Sequence, residues 1–182
     1  MDKEKRKKII IKEAISYGLI VILAILVAMF INKKLIVNAV VPTSSMYPTI
    51  QKDDRLIGNR LAYKKTSPKR GDIIIFPFPD DESQTFIKRV IGLPGETVEI
   101  KNGKVYINGE ELDESAYLGS DVITNAPAGS TGVYYVPYGS YFVLGDNRSN
   151  SQDARVWQNK FVSEEKILAK AMFKYYKGFK KY

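Results

Sequence analysis

The nine residues Val41-Pro-Thr-Ser-Ser-Met-Tyr-Pro-Thr49 pack the hydroxyls of Thr43, Ser44, Ser45 and Thr49 together with two prolines. A hydroxyl used as a nucleophile needs a base, and this chain has no histidine and no cysteine. That excludes Ser-His-Asp triads, thiol nucleophiles, HExxH metalloproteases, disulfides and Cys-based zinc sites. Covalent catalysis is left to a serine or threonine assisted by a lysine or carboxylate, or to a carboxylate pair. Pro48 restricts Tyr47 and so stiffens the turn after Ser45. The same residue types are equally ordinary turn formers for a segment leaving an apolar run.

Most lysines fall in turns or basic runs, but Lys88 interrupts an apolar one, Thr85-Phe-Ile-Lys-Arg-Val-Ile91. A period of two puts Phe86, Lys88 and Val90 on one face and Ile87, Arg89 and Ile91 on the other. An ammonium among apolar neighbours loses hydration, which lowers its pKa. A fall from ~10.4 to ~8, enough for a base near neutrality, costs about 3 kcal/mol. The competing reading is an edge strand whose Lys88 and Arg89 reach water and guard against aggregation. A third stretch, GDNRSNSQDAR (Gly145 to Arg155), gathers two arginines, two aspartates, two asparagines and two serines behind the apolar YFVL. As a polar loop it can satisfy itself with side-chain turns. A serine within it can also orient a lysine amine without charging it.

With 182 residues the chain has room for one domain with a core plus a modest appendage. Its net charge of +8 favours a negative partner, nucleic acid or an anionic membrane face. Residues 1–13 carry six Lys/Arg against three acids, and Ala14 to Ile31 then runs eighteen residues without a charge. That is about 27 Å of helix, close to a ~30 Å hydrocarbon core. The run exceeds the ~7–15 residues of a cleavable signal. Lys33-Lys34 follow it directly, as suits a permanent anchor whose lysines snorkel. Val37-Asn38-Ala39 is a weak cleavage site and keeps removal open. The basic flank predicts a cytoplasmic N-terminus, with the remainder from about residue 35 outside. The expected organisation is a leader at 1–13, a transmembrane helix at 14–31, a linker at 32–41 and an extracytoplasmic domain at 42–182.

Beyond residue 41 the punctuation is that of a β domain. Strands are expected in GDIIIFPFP (71–79), TFIKRVIG (85–92), GVYYVP and GSYFVLGD (132–146). Asn102-Gly103 and Asn108-Gly109 divide TVEIKNGKVYINGEEL (97–112) into hairpins. Residues 113–131 lack periodicity and read as a long excursion. Ser163 to Leu168 is a short helix candidate capped by Ser163, and Lys170 to Tyr176 a last strand. Lysines 170, 174, 177, 180 and 181 alternate there with Phe173, Tyr175, Tyr176, Phe179 and Tyr182. Basic-aromatic mixing is also the look of a nucleic-acid patch; outside the cytoplasm it suits a membrane interface or a plain solvated strand end. The expected fold is mainly β, a small folded or coiled antiparallel sheet, barrel-like, behind one N-terminal transmembrane helix.

In this order, SMYPT (45–49), RGDIIIF (70–76), FIKRVIGLPGE (86–96) and GDNRSNSQDAR (145–155) resemble the type I signal peptidases, membrane-anchored Ser-Lys endopeptidases. The likeness spans the whole chain and is to the short, single-span Gram-positive kind. It implies Ser45 as nucleophile, Lys88 as general base and Ser151 as the hydroxyl orienting the lysine amine. It implies an oxyanion hole made by the Ser45 backbone N–H and the Thr43 hydroxyl. Asp153 and Arg155 match residues that support the site, and Asp146, Asn147 and Arg148 structural turn residues of the same loop. Ala154 stands where the family often has serine, and Glu96 where aspartate is frequent. The implied partners are preprotein signal peptides cut at small-x-small sites, lipid at both membrane faces and contact with secretion machinery, with no nucleic acid, metal or cofactor. Met46 and the strand around Ile73 to Phe76 are candidate pocket residues, and Met46 and Tyr47 candidates for bringing the site near the outer bilayer surface. Two other classes remain: a self-cleaving Ser-Lys peptidase of the repressor type, and a tethered, non-enzymatic β domain with Lys88 solvated.

Overall fold

The computed structural model describes residues 3–176 and 178–182, without the side chains of Lys3, Lys5 and Lys8; Met1 and Asp2 of the leader and Lys177 of the tail lie outside the described residues. Two compact units divide the chain, Met1–Ile36 and Val37–Tyr182. The first is the helix α1 (Lys3–Lys34). Its stretch Ile9–Lys34 has mean hydropathy 2.8 and is long and apolar enough to cross a membrane. It is apolar on all sides, not along one stripe, so water is a poor solvent for every face.

The second unit is built from antiparallel sheets. Its strands are β1 (Ile36–Val40), β2 (Arg55–Asn59), β3 (Ile73–Phe78), β4 (Asp81–Gly92), β5 (Thr97–Lys101) and β6 (Lys104–Ile107). Then come β7 (Glu110–Glu111), β8 (Val133–Tyr135), β9 (Ser140–Leu144), β10 (Val162–Ser163), β11 (Ala169–Lys174) and β12 (Lys180–Lys181). The larger sheet runs β1-β2-β11-β3-β4-β9-β10 with β12 on β11, and the smaller runs β7-β6-β5-β8. Both sheets end in unpaired edges, so the barrel-like expectation is corrected to two open sheets, in an otherwise mainly β domain as expected.

Local chemistry explains the smaller sheet. Asn102-Gly103 and Asn108-Gly109 all have positive φ (53°, 78°, 51° and 89°), the conformation of two-residue hairpin turns. The first turn sets Ile100 opposite Val105 and Val98 opposite Ile107, which sends all four into the core. In the larger sheet the period of two splits β3. Ile74 and Phe76 face a cluster with Val90, Phe142, Leu144 and Trp157, whereas Ile73 and Ile75 face Met46, Ile50, Leu56 and Ile87. Apolar side chains therefore cover both faces. β4 pairs with β3, which sets Lys88 opposite Ile74, and from Arg89 onward also with β9, which sets Arg89 opposite Leu144. Lys88 and Arg89 are 3% and 7% exposed, so the reading in which both reach water is excluded.

Other expectations change in detail. Ser163 closes β10, and only a single 3-10 turn, Glu164–Lys166, follows; Ser163 makes no side-chain cap bond. The side chain of Glu164 instead accepts from the Ser67 and Tyr141 hydroxyls. β1 occupies residues expected as linker, and the last strand stops at Lys174 before β12 folds back on it. The excursion 113–131 holds no strand.

Where β4 ends, Gly92 allows close approach to the smaller sheet: a Cβ there would lie 2.5 Å from Val98 Cγ2 and 2.9 Å from Val136 Cγ2. Gly92→Ala is therefore expected to destabilise the domain by about 1–3 kcal/mol, the range for overpacking. A drop in thermal midpoint relative to wild type checks this, and an unchanged midpoint contradicts the close approach.

Candidate active site

β4 carries Lys88 into the sheet interior, where the residue is 3% exposed. Its Nζ lies 2.7 Å from Ser45 Oγ and 3.2 Å from the Ile87 carbonyl oxygen, and 5.1 Å from the centre of the Phe86 ring. No carboxylate forms an ion pair with it among the described residues. Burial pushes the Lys88 amine down to about 8, while the charges of Asp153 and Asp146 pull it back toward the ammonium. A neutral amine at this distance is placed to accept the Ser45 hydroxyl proton.

Ser45 is held by its own turn and by the polar loop. Tyr47 N donates to Ser44 O at 3.0 Å and Ile50 N to Met46 O at 2.8 Å. From the loop, Asn147 N donates to Ser45 O and Asn147 Nδ2 to Ser44 O, both at 3.1 Å. The Tyr47–Pro48 bond is cis. Thr43 Oγ1 lies 3.3 Å from Ser45 Oγ. Thr43 and Ser45, from one turn, thus converge with Lys88 from a distant strand.

The loop 145–155 is fixed by buried ion pairs. Arg89 grips both Asp146 oxygens at 2.8 and 2.6 Å, and Arg155 grips both Asp153 oxygens at 2.8 and 2.9 Å. Asp153 also accepts from Gly145 N, Arg148 Nε donates to Gly145 O, and Arg155 donates to Arg148 O. A Cβ on Gly145 would fall 2.1 Å from Ser151 Oγ and 2.4 Å from Ser45 O, so only glycine fits there. Ser151 Oγ is buried without a hydrogen-bond partner and is not bonded to Lys88. Ala154 is fully buried in the apolar core.

Sequence reasoning missed Glu114 and Thr124. Both accept from Arg148, Glu114 through two bonds of 2.8 and 2.5 Å and Thr124 at 2.5 Å. Neither has a local signal, since both sit in the aperiodic excursion. Arg89 was visible only as the neighbour of Lys88. Glu96 joins two motif segments by receiving Arg70 at 2.8 and 2.6 Å.

A family model described as signal peptidase, peptidase S26, matches residues 14–176. The chain belongs to this family. It is a hydrolase of the serine endopeptidase class. It is 38% identical over 164 residues to a probable signal peptidase I-2 of Synechocystis, covering 87% of this chain and 72% of that protein. It is 35% identical over 167 residues to signal peptidase I T of Bacillus subtilis, covering 89% and 85%. A crystal structure of a signal peptidase I from Enterococcus faecalis is 38% identical, with a TM-score of 0.47, covering 58% of this chain and 97% of that one.

In this signal peptidase a groove of about 750 Å³ runs past Ser45 and Lys88. Its walls include Ala39, Val41, Thr85 and Ile87, and Met46 contributes to the lining. Met46 is 1% exposed and packs in the core, so its side chain cannot reach a bilayer surface. Ile73 to Phe76 are buried within the sheet and none of them lines the groove. The flanks of the groove come instead from the 37–46 segment and from Gln84–Lys88.

The depressed amine has a thermodynamic signature. Below pH about 8 Lys88 is charged in both folded and unfolded chains, and the folded state bears the desolvation penalty. Between about 8 and the ordinary value near 10.5 the unfolded chain binds more protons, so stability rises with pH. Lys88→Met is expected to be the more stable protein at pH 7 by roughly 3 kcal/mol. That advantage shrinks as the pH passes from about 8 to 10.5. Denaturant unfolding across this range checks it; a pH-independent difference contradicts a buried, depressed amine.

Proposed function

We propose that this signal peptidase is anchored in the membrane by α1 and removes signal peptides at small-x-small sites, with Ser45 as nucleophile and Lys88 as general base. The observation that carries the reading is the 2.7 Å contact between Ser45 Oγ and an amine that is buried and free of any carboxylate partner. The neutral Lys88 amine takes the hydroxyl proton as Ser45 Oγ attacks the carbonyl carbon of the scissile bond. The tetrahedral oxyanion is stabilised by the Ser45 backbone N–H and by the Thr43 hydroxyl, which its position beside Ser45 Oγ supports. Collapse breaks the C–N bond, and the Lys88 ammonium returns its proton to the departing amine of the mature chain. Water, deprotonated by the same lysine, then hydrolyses the acyl-enzyme. Ser151, Asp153, Arg155, Asp146, Asn147 and Arg148 hold this arrangement; ion pairs support that role for Asp146, Arg148, Asp153 and Arg155, hydrogen bonds to Ser44 and Ser45 support it for Asn147, and the resemblance alone suggests it for Ser151.

An extended signal peptide fits the groove as an added strand, its backbone bonding to strand edges and its small side chains facing Met46 and Ile87. The leader 1–13, the span 14–31 and the domain from about residue 42 then lie inside, across and outside the membrane, as six basic residues before the span favour. The tethered binding-domain alternative needs a solvated Lys88, which is at odds with its 3% exposure.

Cleavage of a preprotein bearing an Ala-x-Ala site by the detergent-solubilised chain tests the reading. Wild type is expected to cut at the site, and Ser45→Ala and Lys88→Ala to be inactive. Lys88→Arg is expected to fail as well, because a guanidinium stays protonated. Thr43→Val is expected to be about 10²–10³-fold slower in kcat, with Thr43→Ser active. Undiminished cleavage by Ser45→Ala and Lys88→Ala would sink the dyad.

A further inference from the structure

The excursion 113–131 serves the proposed chemistry through Glu114 and Thr124, which accept from Arg148. Together with the loop 145–155 it encloses a second cleft of about 870 Å³. The two cavities divide the intervening chain residue by residue. Ser44, Ser45 and Met46 line the groove, whereas Tyr47 and Pro48 line the cleft. Asn150 and Gln152 face the groove, and Ser149 and Ser151 face the cleft. A wall one chain thick, with Ser45 in it, therefore separates them.

We infer that this cleft receives the first residues of the leaving chain, those C-terminal to the scissile bond, and that it selects apolar over acidic side chains there. The inference rests on the proposed role of Ser45. A peptide whose carbonyl carbon meets Ser45 Oγ, and whose preceding residues fill the groove, must cross the wall at that point. At about 3.3 Å per extended residue the second and third residues beyond the bond then lie over the cleft.

The rim suits apolar side chains. Four large apolar residues surround it while substantially exposed: Tyr47 at 54%, Val122 at 37%, Ile123 at 61% and Val156 at 55%. Apolar exposure gathered around one concavity marks a binding surface more than scattered surface residues do. The walls are stapled from below by buried arginines. Arg148 donates to Thr124 Oγ1 and Arg155 to the Asn125 carbonyl at 3.2 Å, so the excursion is tied to the loop that holds Ser45. The charges beneath are mutually neutralised: Asp146 by Arg89, Arg148 by Glu114 and Arg155 by Asp153. Asp121 also lines the cleft and has no ion pair among the described residues. An acidic substrate residue there meets a like charge and gains no contact from the rim.

The test is a series of preproteins with one Ala-x-Ala site and Leu, Ser or Asp at both the second and third positions after it, cut by the full-length solubilised protein. Wild type is expected to favour Leu over Asp by roughly tenfold in kcat/KM, the effect of burying about half of a leucine side chain. In Ile123→Ser/Val156→Ser that ratio is expected to fall toward one, and Asp121→Asn is expected to raise kcat/KM selectively for the Asp substrate. Ile123 and Val156 are exposed, so their replacement opens no cavity. Equal cleavage of all three substrates by wild type, or a ratio unaltered in the double variant, overturns the role of the cleft alone. A wild type that cuts none of the series contradicts the proposed peptidase, and the cleft's role falls with it.

Discussion

Everything in the β domain turns on keeping one amine dry next to one hydroxyl. Lys88 lies 2.7 Å from Ser45 Oγ with Asp146 and Asp153 close enough to favour its charged form. Were either carboxylate to bond the amine directly, the ammonium would be stabilised and the proposed base lost. Each is instead gripped at both oxygens by an arginine, Asp146 by Arg89 and Asp153 by Arg155. Arginine suits this task because its planar fork meets a carboxylate with two bonds and remains charged at any pH the protein meets. The polar density of the 145–155 loop is thus a way of surrounding a desolvated lysine with charges that satisfy one another.

The sheets make this possible by burying the second half of β4, Ile87 to Gly92, on both faces. Sequence neighbours are divided: Lys88 turns toward Ser45, while Arg89 turns toward Asp146 and the Tyr117 ring 4.0 Å away. One strand therefore delivers both the proposed base and the cation that restrains a competing acid. The glycine at 145 lets the loop come within contact distance of the Ser45 carbonyl, so the turn and the loop hold each other.

What could be read from the residues alone followed the range of the interaction. The Asn-Gly turns are local, and the hairpins they dictate appear where the dipeptides stand. The apolar run 14–31 is likewise local, and a helix covers it. The burial of Lys88 was undecidable from its own strand, because it depends on β3 pairing beside it and on the distant Ser45 turn reaching its amine. β1 and β2 carry no clear alternation and gain their strand character by pairing at the end of the larger sheet. Ser163 had the right type for a helix cap, but strand pairing with Ser140 held it in extended backbone. Glu114 and Thr124 were invisible because their partner Arg148 is 34 and 24 residues away. The motif order drew Ser45 and Lys88 out of many serines and lysines; it could not say that the Ser151 hydroxyl would be left without a partner.

The most direct measurement is the titration of the Lys88 amine itself, followed by NMR of ¹³Cε/¹⁵Nζ-labelled lysine in the solubilised protein, with Lys88→Arg used to assign the signal. A midpoint near 8, moving when Ser45 is replaced by alanine, is the result expected of a desolvated base in contact with that hydroxyl. A midpoint at the ordinary value of 10.5, indifferent to Ser45, would contradict it.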